Sequence, residues 1–371
     1  MKYIRLLDTT LREGMQSSVG FLLLGNEIKF LKLLDKIGID FIEYIHPYSS
    51  SHNLKTFSKI KKINLKAKLF VHSSPNKQDF NLLIDNDFKN ISTFIKGNSE
   101  SNLIKKATYI LQISEKNKIN LRISLEDSFS KSDRIICNFF EFVLQYKCVS
   151  QISLSDSTGV CTPQKLESVL TMLNKKIDKN IPIELHFHND HGLAAANFYQ
   201  AILLSKKLKR NIIFSISLKG MGERNGILSY GDVFSILHLI FKDFLLERYK
   251  TKIYQKVIAL IYYGNKFNFD RDPISENSFS HTASSHITDV VIKNGYMSIK
   301  PELFGYSYAL LISNLISSNA VIYLSRQICK LDINIKQAKS IVLKIRNLYP
   351  KRKSRLSNDE FKQIVTEEYL K

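Results

Sequence analysis

The sequence predicts a closed (β/α)8 TIM barrel followed by a smaller, mostly helical lid region, and three observations predict it. Short apolar, β-rich runs alternate with longer amphipathic stretches. Eight such runs fall before residue 245. Polar and titratable residues gather directly after the runs. Alternation of this kind implies a parallel sheet. Eight units in about 240 residues fit a closed barrel better than a doubly wound open sheet.

The runs are 3–7, 41–45, 67–71, 91–95, 120–125, 151–154, 183–187 and 212–218, with helical patterns such as 27–37 and 101–116 between them. In such a barrel the groups that do chemistry stand at the C-terminal ends of the strands. Arg12 and Glu13 follow the first run, Glu43 and His46 end the second, and His72 ends the third. Asn98 and Ser99 follow the fourth, and Glu126 and Asp127 end the fifth. Asp156, Ser157 and Thr158 end the sixth, His186 and His188 the seventh, and a glycine-rich loop at 220–226 follows the eighth. One or two cases would be ordinary loop chemistry; all eight together point to one shared mouth.

From about 250 the alternation stops. The boundary is placed at 247, giving a catalytic barrel over 1–247 and a helical linker, lid and C-terminal subdomain over 248–371, with a loop at 270–285. The uncharged stretch 303–325 contains Asn314, Asn319 and five serines, so it reads as a buried helix pair and not as a membrane span.

Composition is that of a globular protein: of 371 residues, 44% are hydrophobic and 24% charged. The formal charge of +20 is spread along the chain, and its densest cluster, Lys351-Arg352-Lys353-Ser354-Arg355, is one short loop. That distribution argues against nucleic acid as a partner and for attraction of anionic substrates such as CoA. Cys137, Cys148, Cys161 and Cys329 form no CxxC pair, so reduced thiols in a cytoplasm are expected. Met1 to Arg5 run directly into Asp8 and Arg12, a pattern unlike a signal peptide.

His186-Phe187-His188 is the sharpest local signal. Residues two apart on a strand share a face, so both imidazoles are expected to point into the barrel mouth. Two neutral imidazoles suit Zn, Mn, Fe or Co. A carboxylate after the first strand is well placed as the third ligand, and Glu13 is the choice. Two histidines and one carboxylate leave open positions for substrate and water. His191 points the other way. Gly220-Met221-Gly222-Glu223-Arg224-Asn225-Gly226 is not a dinucleotide loop, because its third glycine is one residue late and no βαβ unit with a ribose-binding acid follows. Its glycines are expected to let backbone approach the site.

Leu7-Asp8-Thr9-Thr10-Leu11-Arg12-Glu13-Gly14-Met15-Gln16 resembles the opening motif of the DRE-TIM metallolyase superfamily, which includes the homocitrate, isopropylmalate and citramalate synthases and the hydroxymethylglutaryl-CoA lyases. Arg-Glu in that motif is similar to the homocitrate synthase branch. So are Glu126-Asp127-Ser128-Phe129, His186-Phe187-His188-Asn189-Asp190 and Gly222-Glu223-Arg224-Asn225-Gly226-Ile227. Beyond the barrel, 281–286 and 296–305 are similar to the family's lid.

The resemblance implies a metal-dependent condensation of an acyl-CoA with a 2-oxo acid, one divalent ion (Zn, Mn, Mg or Co) on Glu13, His186 and His188, and a homodimer that exchanges lids. It implies that Arg12 steadies the substrate oxyanion, that Glu126, His286 and Tyr296 move protons, and that Gln16, His72 and Ser157 contact substrate. The reverse cleavage on the same scaffold is the alternative. The chain also departs from the pattern. Ser74 stands where homocitrate synthases carry an arginine, Ser130-Lys131 follow Phe129 in place of another, and Thr282-Ala283-Ser284-Ser285 replace Lys-Ala-Gly-Ile. The far end of the 2-oxo acid is therefore expected to differ from 2-oxoglutarate, or to be held differently.

Overall fold

Strands buried on both faces read as near-continuous apolar runs, and here that is what they form. Ile183–Phe187 and Ile212–Ile216 are buried at every position. A computed structural model describes residues 3–17, 27–45, 59–241, 248–261, 276–293, 295–296, 301, 307–349 and 356–370. Its barrel strands are β1 (Ile4–Asp8), β2 (Phe41–Ile45), β3 (Lys68–Ser73), β4 (Asn90–Ile95), β5 (Asn120–Leu125), β6 (Val149–Asp156), β7 (Ile183–Phe187) and β8 (Ile212–Ile216). They are parallel and close in sequence order, with Leu7 opposite Phe41 on one side of β1 and Ser215 on the other. The expected eight-stranded barrel is present, and its last strand ends two residues before 218.

The helices are α1 (Thr10–Gln16), α2 (Glu27–Ile37), α3 (Lys77–Asp85), α4 (Glu100–Lys116), α5 (Asp133–Val143), α6 (Pro163–Lys176), α7 (Ala194–Leu208), α8 (Tyr230–Ile240), α9 (Tyr254–Ile261), α10 (Ser284–Lys293), α11 (Ser318–Leu324), α12 (Ile335–Leu348) and α13 (Asn358–Tyr369). Side-chain caps start several of them. Ser99 accepts from the Asn102 N–H at the head of α4, and Thr162 accepts from Lys165 before Pro163 opens α6. Ser99 is thus a helix cap, not a group of the mouth. Val257 of α9 packs into the barrel's outer core.

The C-terminal region has a core of its own, built by Ile287, Ile316, Val321, Ile341 and Phe361 among others. The expectation of a buried helix pair over 303–325 is corrected. Ala309–Leu310 form a short strand, β10, parallel to β9 (Ser280–His281), and among the described residues of the stretch only 318–324 are α-helical before a π turn at Ser325–Cys329. In the loop between, Ser313 accepts from the Leu315 N–H, and Ser317 caps the following helix by accepting from the Ala320 N–H. The expected loop at 270–285 is likewise corrected over its described part, which holds a 3-10 turn at Glu276–Phe279, β9 and the start of α10. No helix among the described residues is long and apolar enough to cross a membrane. The four cysteines are free thiols.

Candidate active site

Strands β2, β5 and β7 are not neighbours, so contacts between their side chains run through the barrel interior. Arg122 of β5 makes such contacts: its guanidinium bonds Glu43 of β2 and both oxygens of Glu184 on β7. All three are buried. Below them Leu7, Phe41, Phe70 and Ile213 close the apolar floor. Burial opposes the charge on Glu43, but Arg12 and Arg122 outweigh it and hold its carboxyl well below the usual range. This charged floor fixes what stands above it. His72 Nδ1 lies 3.3 Å from Glu43, and Ser92 donates to the same oxygen at 2.6 Å.

Arg12 and Glu13 lie on the first turn of α1, directly after β1. Asp8 anchors that turn: it accepts from the Thr10 N–H, the Thr10 hydroxyl and the Tyr230 hydroxyl. Arg12 bonds Glu43 and sits 2.5 Å from Glu13 Oε1. His186 Nε2 lies 3.4 Å from that oxygen, and the His186 and His188 rings are 5.1 Å apart. Donor atoms of Glu13, His186 and His188 all lie within 4.8 Å of one another. Burial pushes the Glu13 carboxyl upward while Arg12 pulls it back. Burial holds both imidazoles neutral, which leaves a lone pair for a cation. The donor set fits a divalent ion: one carboxylate and two neutral imidazoles, with Glu13 Oε2 buried and lacking a hydrogen-bond partner among the described residues.

The 220–226 loop is stitched to the end of β7. Asn189 N donates to Gly226 O and Leu228 N to Phe187 O. This brings Gly222 so close that an added Cβ would lie 3.3 Å from Glu13 Oε2. A side chain there would crowd the Glu13 carboxylate, so glycine gives the loop its close approach, as the sequence suggested. The same loop aims Arg224 at Asp190 (2.5 Å), the Ser157 carbonyl (2.8 Å), His188 Nδ1 (3.1 Å) and His286 Nδ1 (3.3 Å).

The lid completes the mouth. His286 of α10 stacks on Tyr296, ring centroids 3.9 Å apart, and the Tyr296 hydroxyl donates to Glu126 at the end of β5. Burial raises the Glu126 carboxyl, partly offset by Lys96. Glu223 accepts from the Thr282 and Ala283 N–H groups and ties the head of α10 to the barrel. A second cluster of possible cation ligands, Glu223, His281 and His286, lies at this junction. The guanidinium of Arg224 beside His286 opposes a cation there.

The HMGL-like family model matches residues 3–254, more than half of the chain. The chain belongs to the HMGL-like family. Mitochondrial homocitrate synthase of Saccharomyces cerevisiae is 27% identical over 365 residues, covering 94% of this chain and 80% of that protein. Homocitrate synthase of Pyrococcus horikoshii is 25% identical, covering 91% and 93%. The crystal structure of hydroxymethylglutaryl-CoA lyase from Pseudomonas aeruginosa superposes with a TM-score of 0.60 at 17% identity, over 73% of this chain and 96% of that one, which speaks for the fold. The resemblance read from the motifs is borne out, and it places this HMGL-like chain among metal-dependent Claisen-type enzymes.

One cavity gathers nearly every residue to which the resemblance assigned a role: Arg12, Glu13, Gln16, His72, Glu126, Ser157, His186, His188 and His286 all line it, while Asp127, Asp156 and Thr158, also expected at the mouth, do not. Tyr296 stands behind Glu126 and His286. His46 lies outside the described residues. His191 is exposed, as expected. Both lid residues reach the mouth of their own chain, whereas the resemblance implies exchange between subunits. Sequence reading missed the roles of Arg122 and Glu184, whose strand positions look like ordinary interior residues. It quoted Arg224 inside a motif without assigning it a contact. Lys96 carried no motif at all.

Proposed function

We propose that this protein condenses an acyl-CoA, acetyl-CoA in the first instance, with a 2-oxo acid. The observation that carries the reading is the convergence of Glu13, His186 and His188 with Glu126 and His286 on one cavity at the C-terminal face of the barrel. Glu13, His186 and His188 would hold one divalent ion, which when bound supplies Lewis-acid polarisation of the 2-oxo carbonyl.

The remaining chemistry belongs to side chains. An acyl-CoA methyl group must lose a proton before its carbon can attack. Glu126 is the base: Tyr296 holds its Oε1, while Oε2 is buried and has no hydrogen-bond partner among the described residues. That oxygen is available to take the proton. The carbon so formed bonds to the 2-oxo carbon, and negative charge moves to the carbonyl oxygen. Arg12, fixed by Glu13 and Glu43, is the donor for that charge. The proton taken by Glu126 passes to that carbonyl oxygen, and water then cleaves the thioester: its hydroxyl bonds to the acyl carbon as the C–S bond breaks, and its proton leaves with CoA as the free thiol. Gln16, His72 and Ser157 line the same cavity and would contact the 2-oxo acid there.

Release of free thiol from acetyl-CoA, assayed across a panel of 2-oxo acids with divalent metal present, tests this reading. Thiol release that depends on both the 2-oxo acid and the metal supports it. Cleavage of hydroxymethylglutaryl-CoA without any condensation would assign the reverse reaction instead.

A further inference from the structure

Lys96 follows β4 and lines no part of the cavity described above, and its ammonium makes three contacts. It bonds Asp289 on α10, donates to the Tyr296 hydroxyl oxygen at 2.6 Å, and lies 4.3 Å from the centre of the Tyr296 ring. Its own backbone is held, since Lys106 Nζ of α4 donates to the Lys96 carbonyl at 2.7 Å. The phenol oxygen thus accepts from Lys96 and passes its own proton toward Glu126. A lysine, a phenol and a carboxylate form one chain of hydrogen bonds from the lid to the cavity.

Tyr296 does not sit there by backbone preference. Its φ is +56°, a left-handed conformation that is strained for a bulky residue. Side-chain contacts must hold it, and the described ones are the His286 stack, the Glu126 bond and Lys96. His286 belongs to α10 itself and Glu223 holds only the head of that helix; of the two barrel groups on Tyr296, Glu126 and Lys96, it is Lys96 that also grips the body of α10, through Asp289. Lys96 is 36% exposed, so it can be replaced without opening a core.

We propose that Lys96 is a positioning residue that latches the lid: by binding Asp289 and Tyr296 together it makes docking of α10 and alignment of the Glu126–Tyr296 pair a single event. This rests on the proposed role of Glu126 as base. A bond from Lys96 to the phenol oxygen also makes the phenol a stronger donor to Glu126. Loss of Lys96 therefore affects the proton-transfer step more than the binding of the 2-oxo acid.

The test compares Lys96→Met, Lys96→Arg, Asp289→Asn and the Lys96→Met/Asp289→Asn double variant in the full metal-loaded chain. Two readouts are used: steady-state kinetics and hydrogen–deuterium exchange of the segment 284–296. Lys96→Met should lower kcat by about 10- to 100-fold with KM for the 2-oxo acid changed little, and should speed exchange across 284–296. Lys96→Arg should recover part of both. Asp289→Asn should loosen the segment, and the double variant should be no worse than Lys96→Met alone. Wild-type exchange in Lys96→Met, or losses from the two single changes that multiply in the double variant, would overturn the latch. If wild-type protein condenses no acyl-CoA with any 2-oxo acid, the reaction reading fails, and the exchange measurements still decide the latch.

Discussion

The hydroxyl of Tyr296 donates a hydrogen bond to the carboxylate of Glu126, so a residue of the helical lid completes a group at the end of the fifth barrel strand. Neither residue is informative alone. Together with His286, stacked on the same ring, they join the C-terminal region to the mouth of the barrel.

Glu126 sets a pH dependence. Burial raises its carboxyl above the ordinary range, with Lys96 pulling the other way. A base works only when deprotonated, so kcat/KM should rise with pH through the Glu126 pKa, and that limb should lie above the usual carboxylate range. Glu126→Gln should lower kcat at least about a hundredfold and abolish the limb. A pH–rate profile of the two proteins checks both; a limb that persists in Glu126→Gln assigns the base elsewhere.

Asp156 sets a different one, on stability. It accepts from the Val160 and Cys161 N–H groups through one oxygen, and burial pushes its pKa from 3.8 to about 8. A raised acid favours the protonated folded state. Stability from this group is therefore greatest at low pH and is lost as pH climbs from about 4 toward about 8. Asp156→Asn removes the ionisation. Its gain over wild type should be larger at pH 8 than at pH 5, by on the order of 4 kcal/mol. Denaturant melts at the two pH values measure it, and an equal effect at both would refute the assignment.

Much of this was legible beforehand, for physical reasons. Period-two placement put His186 and His188 on one face, and the strand-end rule put Glu13 and Glu126 in the same mouth. The lid contacts were not legible. Lys96 meets Tyr296 across 200 residues, and no periodicity encodes such a meeting. Arg122 and Glu184 were missed because a charge in the middle of a strand is explained only by its partner, and that partner lies on a strand that is not adjacent. Asp156 and Ser99, which looked like groups of the mouth, instead bond nearby backbone N–H groups.

Substrate choice should follow the committed charges. Arg12 is bonded to Glu13 and Glu43, and Arg122 to Glu43 and Glu184, while Ser74 does not line the cavity. A distal carboxylate needs a partner of its own, and a bidentate arginine is the best one. The expectation is that kcat/KM for 2-oxoglutarate does not exceed those for pyruvate, oxaloacetate and 2-oxoisovalerate by more than about a hundredfold, roughly 2.7 kcal/mol. Steady-state kinetics on the four acids decides it, and a larger preference for 2-oxoglutarate would contradict it.

Metal content should follow the triad. His186→Ala removes one of two imidazoles and should abolish stoichiometric binding of a divalent ion, while leaving the barrel folded because the Arg122–Glu43–Glu184 network below it is untouched. Elemental analysis with circular dichroism checks this; undiminished metal in a folded variant would remove His186 from the site.

The most direct measurement follows labelled carbon. Metal-loaded protein is given carbon-13-labelled acetyl-CoA and each 2-oxo acid in turn, and products are read by mass spectrometry. The account predicts, for at least one acid, a labelled product larger by the two acetyl carbons, formed with free CoA and absent with His186→Ala. Bound metal with no labelled product from any 2-oxo acid would contradict it.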